Sequence, residues 1–187
     1  MTLTQIRVGQ ALLITCCIFY LIWWGVAFHP DQGEQHMNGI KGILFAITAL
    51  FGLSGVAVNL IGIRDSGAEG GFTSGGKILI AGIILYLVLL FGTRLLFHRQ
   101  VTTELFLIVG WTMLEIASAN TAFALGSIPM ERVVLFLIIV ALAAVSSFVF
   151  YMLYYSVEPM RGYYYGMIPL ITEALSMGIF ELLVRPL

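Results

Sequence analysis

The 187-residue chain is too apolar to fold as a soluble domain: hydrophobic residues make up 60% of it and charged residues 10%, against about 45–50% and about 25% in a soluble protein. Its formal net charge is −1, so it has no basic excess with which to bind nucleic acid. These values exclude a soluble enzyme, a disordered chain and a nucleic-acid binder, and they indicate an all-α integral membrane protein.

Six apolar runs are each long enough to cross a bilayer as a helix, which takes about 20 residues. They cover residues 8–28, 42–63, 78–97, 104–125, 133–157 and 163–183. The first run is longer than the apolar part of a signal peptide and no cleavage site follows it, so we expect it to be retained. Because the connections are short, neighbouring helices should pack antiparallel. We predict one transmembrane domain over 1–187, a lipid-embedded bundle of six helices with short loops.

Orientation follows from the basic residues. Six spans place both termini on one face, and that face carries Arg7, Arg64, Lys77, Arg132 and Arg185. The opposite face carries Lys41, Arg94, Arg99 and Arg161. The small excess favours cytoplasmic termini by the positive-inside rule. The opposite face also holds most of the aromatic residues, which resemble an interfacial belt: Trp23, Trp24, Tyr154, Tyr155 and Tyr163 to Tyr165.

Two loops carry patterns that resemble known sites. His29 and His36 share the first loop with Asp31 and Glu34, which suggests either a metal site or pH sensor, or solvated side chains. Residues 71–77 nearly match a phosphate-binding loop, but Ile78 replaces the hydroxyl residue that would bind magnesium. We interpret this second loop as a flexible connection. No cofactor signature is present, and the sequence leaves a metal site undecided.

The most informative feature is a pair of glutamates inside two predicted spans. Glu115 lies about eleven residues into the fourth span and Glu173 about ten residues into the sixth, so both should lie near the bilayer midplane. Burying a charged side chain there is costly, and such residues commonly mark a functional site. The alternative is a neutral, protonated pair that only joins two helices.

Polar neighbours accompany both glutamates. Thr112 and Ser118 share the helix face of Glu115, and Ser176 follows Glu173 by three residues. Asn120 adds an amide within the fourth span, and we expect Ser118, Ser176 and Asn120 to be secondary contacts to the solute. Pro169 precedes Glu173 by four residues and should free a backbone carbonyl. Arg94 could extend toward the aromatic face or turn inward to the carboxylates.

These residues favour a transporter or channel for a small polar solute, a cation or a proton, with its site on Glu115 and Glu173. A first alternative is an intramembrane enzyme that uses the carboxyl pair as acid and base on a lipid or prenyl substrate. No nucleophile or cofactor motif accompanies the pair, which argues against this alternative. A second alternative is an assembly subunit whose small residues pack against a partner. The sequence leaves a homo-oligomer open.

Overall fold

The structure is a computed structural model that describes residues 2–30, 38–67, 71, 73–97 and 103–184. These described residues form six α-helices. Their bounds are α1 Thr2–Ala27, α2 Asn38–Asp65, α3 Gly75–Phe97, α4 Thr103–Ala124, α5 Met130–Tyr154 and α6 Pro159–Val184. Each helix is long and apolar enough to cross a bilayer. The prediction of an all-helical chain with six such helices is therefore confirmed.

Several helices extend beyond the predicted apolar runs. The first begins at Thr2 rather than at residue 8, and the sixth begins at Pro159 rather than at residue 163. An apolar run marks only the part of a helix that suits hydrocarbon, whereas the polar ends continue the backbone hydrogen bonding past it. Proline suits the first helical position because its fixed φ is helical and no amide is lost there.

The bundle has two distinct ends. At the end that carries both termini, called the termini end, Arg7 forms an ion pair with Glu181 at 3.0 Å. At the opposite end, called the aromatic end, the indole Nε1 of Trp24 donates to the carbonyl oxygen of Tyr163 at 3.1 Å. The Trp24 and Tyr154 rings also meet edge to face there. These contacts join the first, fifth and sixth helices at the aromatic end.

The fourth helix occupies the centre of the bundle. It packs against α2, α3, α5 and α6, and 72% of its spanning segment is buried, compared with 11% for α3. The third helix packs mainly on α4 and exposes large apolar side chains along its length, such as Ile83 and Val88. Such an outer surface suits lipid. Because the other helices enclose α4, the polar residues of that helix face protein and not lipid.

The first two helices pack at very close range through glycine. A Cβ atom added at Gly9 of α1 would lie 2.8 Å from the backbone nitrogen of Asn59 in α2. A Cβ atom added at Gly55 of α2 would lie 2.9 Å from the Leu13 side chain. Small residues are what allow helices in a membrane to approach in this way, and here the approach brings Asn59 into the bundle interior.

Candidate functional site

The two predicted glutamates are both fully buried near the middle of their helices. Glu115 and Glu173 are each 1% exposed. Each lies just past the midpoint of its helix, because α4 runs over Thr103–Ala124 and α6 over Pro159–Val184. The hydroxyl of Ser176 contacts both residues, at a carboxyl oxygen of Glu115 and at the backbone carbonyl oxygen of Glu173. The structure therefore brings together two acidic groups at similar depth on adjacent helices that run in the same direction.

Ser176 connects the two glutamate-bearing helices. Its Oγ lies 2.7 Å from Oε1 of Glu115 and 2.9 Å from the backbone carbonyl oxygen of Glu173. One hydroxyl has a single proton and can donate fully to only one of these acceptors. A carboxyl proton on Glu115 would let both contacts be satisfied, with the carboxyl donating to the hydroxyl oxygen.

Glu173 has a different set of partners, supplied in part by the fifth helix. Ser147 donates from Oγ to Oε1 of Glu173 at 3.3 Å. The same hydroxyl lies 2.8 Å from Oγ1 of Thr172. Neither Ser147 nor Thr172 was identified as a site residue from the sequence. Both extend the polar site from two helices to three.

The carboxyl pair has no basic partner in the part of the chain that the structure describes. The ion pair found there joins Arg7 and Glu181, at the termini end. Oε2 of Glu115 is buried and has no hydrogen-bond partner. Since an uncompensated buried carboxylate is costly, this oxygen is suited to a proton or to a bound donor.

Ser118 belongs to a second polar cluster on the α1 and α2 side of α4. Its Oγ accepts from Nε2 of Gln10 at 3.1 Å and lies 2.9 Å from Oδ1 of Asn59. All three residues are fully buried, and Oε1 of Gln10 and Nδ2 of Asn59 have no partner. Ser118, which we predicted to be a secondary contact to the solute, therefore lies in this neighbouring cluster. Gln10 was not identified from the sequence, although it is an amide within an apolar helix.

The other predicted contacts lie away from the carboxyl pair. Thr112 donates to the carbonyl of Ile108 in its own helix, at 2.7 Å. Asn120 donates from Nδ2 to the carbonyl of Thr73 at 2.7 Å, which ties the termini end of α4 to the connection before α3. Arg94 is exposed on α3, as the outward-extending alternative requires.

An aromatic cavity leads from the aromatic end to Glu173. Its volume is about 30 Å³, room for about two water molecules. On α6 it is lined by Gly166, Pro169, Leu170 and Glu173, which follow one face of the helix, with Glu173 farthest from the aromatic end. Six aromatic side chains line the remaining walls: Tyr20, Trp24, Trp111, Tyr151, Tyr154 and Tyr155.

A wider vestibule adjoins this cavity at the aromatic end. Its volume is about 350 Å³, and it shares Trp24, Tyr154 and Tyr155 with the cavity. Pro30 and Tyr163 also line it. The sequence placed these aromatic residues in an interfacial belt, because spacing along the chain does not reveal which rings converge. The structure shows that part of this belt surrounds the vestibule.

The structure describes only part of the two loops that resemble known sites. His29 stacks edge to face on Tyr163, whereas His36, Asp31 and Glu34 lie outside the described residues. Within the described ranges there is no group of three His, Cys, Asp or Glu residues that could hold a metal ion. Residues 71 and 73–77 lead into α3 near Asn120.

Comparison with family models, curated proteins and solved structures gives no match to this chain. Fold and site together define a class: a six-helix apolar bundle that fits a multi-pass membrane protein, with two carboxyl groups in its interior.

Proposed function

We propose that the chain is a transporter or channel for a small cationic or polar solute, with Glu115 and Glu173 as its central site. The observation that carries the proposal is the pair of fully buried carboxyls at mid-helix, without a basic partner among the described residues. A permanent structural role would be better served by neutral or apolar side chains. A site that receives a proton or cation during its cycle explains why two acidic groups occupy this position.

A polar cluster on one side of the pair and the aromatic cavity on the other form the two halves of a route. At 1.5 Å per residue, Gln10, Asn59 and Ser118 lie about 9–12 Å from the termini end of their helices. The glutamates lie about 14–17 Å from the same end. The aromatic cavity continues from Glu173 to the opposite end. Polar groups with unused hydrogen-bonding capacity thus lead up to the pair from one side, and a cavity leads up to it from the other.

The proton-coupled form of this function uses the two carboxyls directly. A solute cation bound between them would replace a carboxyl proton, and Ser176 and Ser147 would hold the carboxyls in place in either state. The hydroxyls can serve both states because each is donor and acceptor. Cation entry and proton release would then occur at the same group.

Flux through reconstituted protein tests the proposal. Candidate solutes are chosen by their ability to raise the thermal midpoint of the purified protein, since a ligand that binds only the folded state stabilises it. In liposomes we expect flux of a stabilising solute, or of protons, to fall at least about tenfold in Glu115→Gln and Glu173→Gln, because the charged group is lost. Glu131→Gln is the matched control, since Glu131 is exposed at the start of α5.

Normal flux in both glutamate variants would refute the proposal. Lipid turnover by the wild type, lost in the same variants, would instead support the intramembrane enzyme. Copurification of a stoichiometric partner, with no flux by the isolated chain, would support the assembly subunit.

A further inference from the structure

We infer that the aromatic cavity binds an amine-bearing organic cation, with its ammonium group beside Glu173 and its apolar part against the aromatic side chains that lead toward the vestibule. This inference names the substrate class of the proposed transport site, and so rests on the proposed function. It depends on the lining of the cavity, which combines six aromatic side chains with one carboxyl group.

The lining favours a cation over a neutral molecule. The faces of tyrosine and tryptophan rings carry partial negative charge and attract cations placed over them, most strongly when water is excluded. Among the described residues that line the cavity, Glu173 is the only acidic one, and 1% of its surface is exposed. A ligand with one positive charge would compensate that carboxyl, whereas a neutral ligand would leave it uncompensated.

The lining also favours an organic cation over a metal ion. Hard metal cations need several oxygen ligands to replace their hydration shell. Apart from Glu173, the side chains around this cavity are aromatic or aliphatic, with tyrosine hydroxyls as the remaining oxygen groups. An alkylammonium ion needs fewer such ligands because its apolar part contributes contacts with the rings.

Size indicates how the ligand is arranged. The cavity of about 30 Å³ accepts a group as small as a primary ammonium at Glu173. The apolar remainder lies along the aromatic lining, in the direction of the vestibule of about 350 Å³. The indole of Trp24 lies between the two spaces and lines both.

A trimethylammonium headgroup exceeds the inner cavity. An ethanolamine headgroup carries a phosphate beside its amine, and no basic residue among those described lines either space to compensate that phosphate. We therefore assign the site to a free amine and not to a lipid.

Gly166 keeps the cavity in this shape. A Cβ atom at Gly166 would overlap the Trp24 indole, coming within 2.8 Å of Cη2. The indole is also held by its hydrogen bond to the Tyr163 carbonyl. Gly166→Ala should therefore displace the ring from the cavity wall without changing any charge.

A matched pair of probes tests the inference: benzylammonium and benzyl alcohol, which differ mainly in charge. Binding is measured by calorimetry on the full chain in a maltoside detergent. We expect benzylammonium to bind at least about tenfold more tightly, a preference lost in Glu173→Gln and kept in Glu131→Gln. Trp111→Leu and Gly166→Ala should weaken benzylammonium binding several-fold while Glu173 is intact.

Equal affinity for the two probes, or a preference for the amine that survives Glu173→Gln, would overturn the inference. Displacement of benzylammonium in phosphatidylethanolamine nanodiscs, but not in phosphatidylglycerol nanodiscs, would overturn the assignment to a free amine. Flux that depends on Glu173 without amine preference would refute this inference alone. Amine binding without flux of any solute would refute the transport proposal alone.

Discussion

The carboxyl of Glu115 can be tested for a structural role independently of flux. In Glu115→Gln, a neutral amide of nearly the same shape keeps a hydrogen bond with Ser176 and avoids the cost of a buried carboxylate. We expect the thermal midpoint in detergent to equal or exceed that of the wild type. A decrease in stability of about 1–3 kcal/mol, as for a lost buried hydrogen bond, would show that the carboxyl mainly joins the helices.

The hydroxyl of Ser176 should contribute to stability through Glu115. In Ser176→Ala, Glu115 loses the partner of Oε1 while Oε2 already has none. We expect unfolding to become easier by about 1–3 kcal/mol, the cost of an unsatisfied buried polar group. The control is Ser156→Ala, because Ser156 is exposed just past the end of α5 and its hydroxyl donates to the backbone carbonyl of Met152.

A double-mutant cycle identifies the cause of this effect. If Ser176 acts through the carboxyl, its contribution should shrink in the Glu115→Gln background, where the buried acid is absent. Additive effects of the two substitutions on the thermal midpoint would contradict that coupling.

At the scale of the helices, the close approach of α1 and α2 should be the most sensitive to added volume. Gly9→Ala places a Cβ atom 2.8 Å from the backbone of Asn59, which cannot move as a side chain can. We expect a loss of about 1–3 kcal/mol in unfolding free energy, typical of overpacking. The control is Gly178→Ala, where a Cβ atom meets nothing within 4 Å and alanine gains roughly 1 kcal/mol of helix propensity.

Gly9→Ala should also disturb the second polar cluster. Moving α2 away from α1 would move Asn59 away from Ser118, whose hydroxyl lies 2.9 Å from Oδ1 of Asn59. A stability unchanged by Gly9→Ala would show that the two helices tolerate separation, and would contradict this account of their packing.

Helix number and the depth of the glutamates could be predicted from the sequence, because apolar length and the helical rise set both. The identity of neighbouring helices could not. Ser118 has the spacing that places it near Glu115 on one helix face, yet its hydroxyl meets Gln10 and Asn59 on other helices. Ser147 reaches Glu173 only because α5 packs on α6. Periodicity defines a face but not what covers it.

The two halves of the bundle differ in chemistry, and the carboxyl pair lies between them. Toward the termini end, Gln10, Asn59 and Ser118 are closely packed and have no exposed surface. Toward the aromatic end, a cavity and a vestibule lead to Glu173. A transporter must allow its site to be reached from both sides, and in this conformation the aromatic end is the more open one.

This asymmetry predicts sided access to introduced cysteines. In a background with Cys16→Ala and Cys17→Ala, Leu170→Cys places a thiol on the cavity wall, and Ser118→Cys places one in the closed cluster. A membrane-impermeant thiol reagent is added from each side of reconstituted vesicles. We expect Leu170→Cys to be modified from one side only, and Ser118→Cys to react at least about tenfold more slowly from either side, because buried thiols react poorly.

Two marker variants define which side the reagent has reached. Tyr164 is 56% exposed at the aromatic end, and Thr4 is exposed at the termini end, so Tyr164→Cys and Thr4→Cys report the two surfaces. The side that modifies Tyr164→Cys should be the side that modifies Leu170→Cys. Modification of Leu170→Cys from the Thr4 side would place the open path at the termini end and contradict the route through the vestibule.

If the amine inference also holds, benzylammonium should slow modification of Leu170→Cys, because the ligand and the thiol would occupy the same cavity. Modification of Tyr164→Cys should stay unchanged.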